Sequence, residues 1–257
     1  MSPTGAAHFP GATAVSQLRV YDWPAADGQR GGSPHLHTAS AEGYVVLSGS
    51  GTLETLSSAG YAEHPLAAGT VLWFTPGTVH RLVTDGELEI LVVMQNSGLP
   101  ESGDAVLTFP TDVLADPAAY AAVAALPGPA AHREVEGGPT PAANPDEDAL
   151  AAAARKRRDL AIEGYLPLRD RVRRQGPTAL EELWTHSAAL VRHRVEAWQE
   201  LWHDRALAEA VRTGEDLRRL AEGDSGHLAA SAVHTAEAAP APQRFGMCGR
   251  LQVWNVG

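Results

Sequence analysis

The stretch His35-Leu36-His37-Thr38-Ala39-Ser40-Ala41-Glu42 decides how this chain is read. Along an extended strand, successive side chains point to opposite faces, so His35 and His37 project together and Leu36 projects away from them. Glu42 follows a short turn and opens the next strand candidate; a hairpin there returns its carboxylate to the face of the two imidazoles. Two imidazoles and a carboxylate suit a borderline divalent metal. Downstream, Gly69-Thr70-Val71-Leu72-Trp73-Phe74-Thr75-Pro76-Gly77-Thr78-Val79-His80 reads as a strand, a Pro-Gly turn and a histidine that can enter the same interior. Three neutral histidines and one glutamate leave positions open on a metal that takes five or six ligands, as a reactive site needs and a closed structural site does not.

The flanking sequence is strand-like. Residues 16–23 alternate apolar and polar up to Pro24, and further strand candidates lie near 35–39, 43–48, 51–56, 70–75, 79–84 and 87–95. Between them stand Ser48-Gly49-Ser50-Gly51, Ala68-Gly69, Pro76-Gly77 and Asp85-Gly86, and Asp-Gly between two apolar runs predicts a hairpin. Short strands at this spacing predict an all-β barrel or sandwich over residues 1–112.

Beyond Phe109-Pro110 the pattern turns helical. Asp116-Pro117 reads as an N-cap followed by proline at the first helical position. Residues 113–222 are expected to be mostly helix, interrupted by a Pro/Gly-rich linker at 127–145. Helix resumes near 146–163, with Pro167 breaking or kinking it. Over 178–204, Leu180, Leu183, Trp184, Ser187, Val191, Trp198, Leu201 and Trp202 form one stripe, predicted to pack against the barrel or a second subunit. A short helix near 215–222 follows. Residues 223–257 read as a mobile segment whose end, 249–256, alternates again and can add a terminal edge strand.

The two histidine-bearing segments resemble the two motifs of the cupins. The first runs from His35-x-His37 through Glu42 to Gly49, and the second from Gly69 through Pro76-Gly77 to His80. The resemblance spans roughly residues 16–98. It departs at Thr84, where the second motif often ends in Asn, and at Gln29, where the first often has glycine. Neither is a ligand position. The resemblance implies an all-β jelly-roll barrel followed by a helical extension. It also implies one divalent metal (Fe, Mn, Ni, Cu, Co or Zn) on His35, His37, Glu42 and His80. It fixes no reaction, because cupins include dioxygenases, isomerases, epimerases, decarboxylases, sugar-binding modules and storage proteins.

Strand parity places Tyr44 on the Glu42 face and one of Trp73 and Phe74 inward; Tyr44, Trp73, Arg81 and Gln95 are the candidate substrate contacts. Glu42 is the candidate catalytic group. His186 and His193 lie seven residues apart, ~10 Å of helical rise, too far to share a metal. The net charge of −11 argues against nucleic acid, and the run Arg155-Lys156-Arg157-Arg158 reads as a solvated helix face. A single cysteine, Cys248, allows no intrachain disulfide. With no apolar run of ~20 residues and no signal-like N-terminus, a cytoplasmic protein off the membrane is expected. The expected partner is a small-molecule substrate or ligand, and the helices offer a surface for a homodimer. The leading functional expectation is a metal-dependent enzyme on a small polar metabolite, with an oxygenase ahead of an isomerase or epimerase. The alternative is a non-catalytic metal-containing binder or sensor of a sugar or metabolite.

Overall fold

In the computed structural model, which describes residues 8–127, 147–240 and 243–254, two long antiparallel strands organise the barrel. The strands are β1 (Ala14–Val20), β2 (His35–His37), β3 (Glu42–Ser57), β4 (Gly60–Ala67), β5 (Val71–Phe74), β6 (Val79–Met94), β7 (Ala105–Leu107), β8 (Arg244–Phe245) and β9 (Gly249–Val253). β3 and β6 each serve both walls. Their segments Glu42–Val46 and Ile90–Met94 pair with each other, with β5 outside β3 and β1, β9 and β8 beyond β6. Their other halves, Gly51–Leu56 and Val79–Thr84, pair in a second wall completed by β4 on one side and by β2 and β7 on the other.

The change of wall falls at register shifts between Val46 and Gly51. A Cβ on Gly49 would sit 2.3 Å from the Glu87 carbonyl oxygen, and one on Gly51 would sit 2.2 Å from that of Val83. Only glycine lets the bent strands approach so closely. The predicted turn at Ser48–Gly51 and the predicted Asp85-Gly86 hairpin are thus corrected. Both lie inside continuous strands, Gly86 opposite Ser50, because long-range pairing outweighs local turn preference. The sequence also hid β4, whose Pro65 and exposed His64 disguise an outer strand.

Two cores lie on either side of the ligand-bearing wall. The barrel interior holds Leu18, Tyr44, Val46, Leu53, Leu82, Ile90 and Val92. Outside, Leu36, Leu56, Val79 and Leu107 join Tyr165, Leu168 and Leu183 of the helical layer. That layer comprises α1 (Thr111–Leu114), α2 (Pro117–Ala124), α3 (Glu147–Gln175), α4 (Glu181–Val191), α5 (Val195–Trp202) and α6 (Ala208–Ala221). All three residues of β2 are therefore buried, its histidines facing in and Leu36 facing the helices. Each such apolar side chain contributes ~1.5–3 kcal/mol when covered, so the helices fix the wall that carries the ligands.

Local signals explain the helices only in part. Asp116 caps α2 as expected, its Oδ1 accepting from the Ala118 and Ala119 amides. Pro167 does not break α3. Tyr165, Leu168 and Val172 are buried around it, and that packing outweighs a proline cost of ~3 kcal/mol. Nor is the basic run a solvated face throughout. Arg158 is fully buried and donates to the carbonyls of Trp23, Pro24 and Gly31, while Arg157 donates to those of Ala124 and Gly246. Those carbonyls lie mostly outside the regular ladders and need donors.

The expected 178–204 helix is split into α4 and α5 by a short 3-10 turn at Arg192–Arg194. Trp198 is buried and Trp184 half-buried, but Trp202 remains exposed, since the break rotates it off the packed stripe. The helix expected near 215–222 starts earlier, at Ala208. β9 pairs with β1 and places β8 at the sheet's edge, so Gly249–Val253 joins the barrel sheet. The expected linker lies, from residue 128 on, outside the described residues. Among those residues, no helix is long and apolar enough to cross a membrane.

Candidate metal centre

β2 supplies His35 and His37, and β3 and β6 open with Glu42 and with Val79-His80. His35 and His80 lie directly across from each other in register. One ligand atom from each of the four residues lies within 4.8 Å of the others, and all four residues are buried.

Each imidazole is aimed by its other nitrogen. The Nδ1–H of His35 donates to the Ser33 carbonyl at 2.9 Å, that of His80 to the Thr78 carbonyl at 3.3 Å, and that of His37 to Asp104 Oδ1 at 2.6 Å. A carbonyl only accepts, so Nδ1 carries the proton and Nε2 of the neutral ring turns a lone pair inward. The Nε2 atoms of His35 and His80 are 3.1 Å apart, and Glu42 Oε2 is 3.2 Å from Nε2 of both His37 and His80. With all three rings neutral the converging lone pairs repel, and a cation at their centre would turn that repulsion into bonding. These separations suit one cation bonded at ~2.1–2.2 Å, and three imidazoles with one carboxylate would leave positions open on a metal that takes five or six ligands.

The same packing governs protons in the metal-free protein. Burial alone would lower the His37 pKa, but hydrogen bonds to Asp104 and Glu42 outweigh it and push it up to about 10. Burial would raise Glu42, yet the His80 charge and hydrogen bonds from His37 and His80 hold its carboxyl well below the usual range. His35 is held well below the ordinary imidazole value by burial and by the neighbouring His80 and His37. Metal loading at neutral pH must therefore displace a proton from His37. Apparent metal affinity is expected to rise about tenfold per pH unit above neutrality and to level off near the His37 pKa of about 10. Calorimetric titration in buffers of differing ionisation enthalpy checks this. Proton release of zero would remove His37 from the ligand set.

Asp104 was not legible as a site residue, since its sequence surroundings carry no motif; only its place at the head of β7, which pairs with β2, brings it to His37. Asp104→Asn keeps the shape and removes the charge, and metal affinity should fall ~10–100-fold. Unchanged affinity in a competition titration would reduce Asp104 to packing.

The structure places the other candidates unequally. Tyr44 is buried in the interior, its ring edge-on to Phe74 at 5.4 Å. Its hydroxyl is buried near Glu42, and burial first, then the Glu42 charge, pushes its pKa well up. Phe74 takes the inward position that parity left open, tilted over the His80 ring at 4.4 Å, while Trp73 faces out and is 75% exposed. Arg81 does not reach the rim. It follows His80 and so points to the other face, fully buried and paired with Asp27 at 2.6 Å and Glu54 at 3.6 Å. Gln95 is exposed, and its Oε1 accepts from the Ala41 amide next to Glu42. Cys248, brought in by the final strands, sets its Sγ 3.9 Å from His35 Nδ1.

Residues 25–94 match the family model of the cupin domain, and the solved structures similar to the chain include a double-stranded β-helix protein of Klebsiella pneumoniae (16% identity over 38% of this chain and 84% of that one, TM-score 0.29). A protein of Acidithiobacillus ferrooxidans assigned as a sugar phosphate isomerase is 28% identical over 32% of this chain and 49% of its own, with a TM-score of 0.26. The Streptomyces nucleoside dehydratase Pac13, solved with uridine, is 18% identical over 37% of this chain and 65% of its own, with a TM-score of 0.28. The chain thus spans about half to two thirds of the length of these last two. Among curated proteins none matches the chain.

Proposed function

We propose that this protein is a metal-dependent enzyme acting on a small polar metabolite, of oxygenase type. The observation that supports it most is the convergence of four buried donors, with His80 3.1 Å from His35 and Glu42 3.2 Å from both His37 and His80, a set that would leave positions open on a metal taking five or six ligands. A redox metal bound there would bring substrate and dioxygen together and polarise the substrate. The chain's own residues do the rest. Asp104 and the two backbone carbonyls lock the imidazoles, so little reorganisation is needed when substrate arrives. Glu42 lowers the charge of the site and is placed to accept a proton from a bound hydroxyl. Phe74 lies over His80, and Met94 faces Glu42 across the sheet, so water is kept from that side.

Tyr44 supports a second reading, an isomerase. Its buried hydroxyl is held protonated beside Glu42, so the pair could pass a proton between two carbons of a bound substrate, with a metal on the four donors supplying carbonyl polarisation. Metal analysis of protein purified without a metal-affinity tag, followed by turnover assays in air and without air, separates the readings. Iron, manganese, nickel or copper with turnover that consumes dioxygen fits the oxygenase. Conversion that proceeds equally without air overturns it in favour of the isomerase.

A further inference from the structure

Beside the metal centre lies a cleft of about 710 Å³ that the barrel alone does not make. One side is the mouth of the barrel: Thr55 and His64 of the β3–β4 hairpin, with Trp73, Phe74 and the Pro-Gly turn that precedes His80. The other side is helix α4, which contributes Trp184, Ser187 and Ala188. Trp184 is pinned in place, its Nε1–H donating to the Gly77 carbonyl at 2.9 Å.

Two features point to a ligand. Ser187 is only 2% exposed, lines the cleft, and its hydroxyl has no hydrogen-bond partner among the described residues. A buried hydroxyl left unpaired is unfavourable, and a ligand hydroxyl reaching it from the cleft would satisfy it. Trp73 presents a large ring at 75% exposure on the opposite wall. Exposed indole beside hydroxyls offers a flat apolar face with hydrogen-bonding edges, the surface that a ring with equatorial hydroxyls matches. The charge is equally telling. The lining is rich in threonine and serine and holds no Asp, Glu, Lys or Arg, so a phosphate or carboxylate would lose its hydration with no cation to replace it.

We infer that the cleft between the barrel mouth and helix α4 binds an uncharged sugar ring, free or as part of a larger neutral metabolite, stacked on Trp73 and hydrogen-bonded to Ser187 and to the Thr55–His64 pair, which is itself joined at 3.0 Å. Phe74 lines the cleft and lies over His80, so that wall of the cleft adjoins the metal centre. The inference rests on the proposed function only in calling that ring the substrate's. It gives the helical extension a role: α4 supplies one wall of the binding site.

The test uses the full chain with glucose, xylose and N-acetylglucosamine as neutral probes and glucose 6-phosphate and glucuronate as charged counterparts. Binding is read by ligand-observed NMR and tryptophan fluorescence, with and without metal. At least one neutral probe should bind with millimolar or better affinity, with its charged counterpart weaker by tenfold or more. Trp73→Ala should weaken the neutral probe about tenfold or more, and Ser187→Val should also weaken it, with metal content unchanged in both. Binding should persist in metal-free protein, because none of the four ligands lines the cleft. Failure of every neutral probe, or wild-type affinity in both variants, overturns the inference. Either result with stoichiometric metal present leaves the metal reading standing.

Discussion

His80→Ala is expected to strip the protein of most of its metal while the barrel stays folded. His80 is fully buried, and its Nε2 lies 3.1 Å from that of His35 and 3.2 Å from Glu42 Oε2, so it touches two of the other three ligands. Its loss opens the shell on one side and leaves the remaining donors unable to close around an ion. The fold does not depend on it. Two apolar clusters, one inside the barrel and one under the helices, surround the position, and β6 continues past it through Leu82 to Ile90. Metal at ~100 times its Kd should stabilise the wild type by ~2.7 kcal/mol, and the variant should gain almost none. Elemental analysis and thermal denaturation with and without metal read the two effects separately. Stoichiometric metal in folded His80→Ala would show that the four residues are not its ligands.

What made this centre legible is that most of its chemistry is local in sequence. His35 and His37 need only strand parity and Glu42 one short turn, while His80 joins them through the pairing of β6 with β2, which the resemblance to the second cupin motif implies. Asp104 and Cys248 reach the same place through long-range pairing, β7 against β2 and β9 against β1, which no local pattern encodes. Arg81 misled for the same reason. Its neighbour His80 faces in, so Arg81 faces the helical layer, and a sequence cannot show that the barrel's outer wall is covered. The mistaken Asp85-Gly86 hairpin and the unbroken helix through Pro167 share a cause: tertiary pairing and burial outweigh turn and proline preferences of a few kcal/mol. From the sequence, the α4 face with Ser187 reads only as part of a packing stripe, because the cleft exists only once α4 meets the turn before His80.

Glu42→Gln should preserve the fold and, at saturating metal, abolish most turnover while ligand binding survives. Glu42 is the only anionic member of the set, and its carboxyl is held ionised at neutral pH by His80 and by hydrogen bonds from His37 and His80. Glutamine keeps the length and an accepting oxygen, so it can still occupy the position, but it brings neither charge nor basicity. Two losses follow. A divalent site loses the one ligand that lowers its net charge, so metal binds more weakly and must be supplied in excess. A proton that Glu42 would take from a bound hydroxyl then has no acceptor at that atom, which lowers turnover by ~100-fold or more. Metabolite screening by thermal shift supplies the ligand for the comparison. If that ligand is recovered chemically unchanged after long incubation with metal-loaded wild-type protein, in air and without air, the protein is a binder. Glu42→Gln would then alter only metal and ligand affinity, and the enzymatic reading fails.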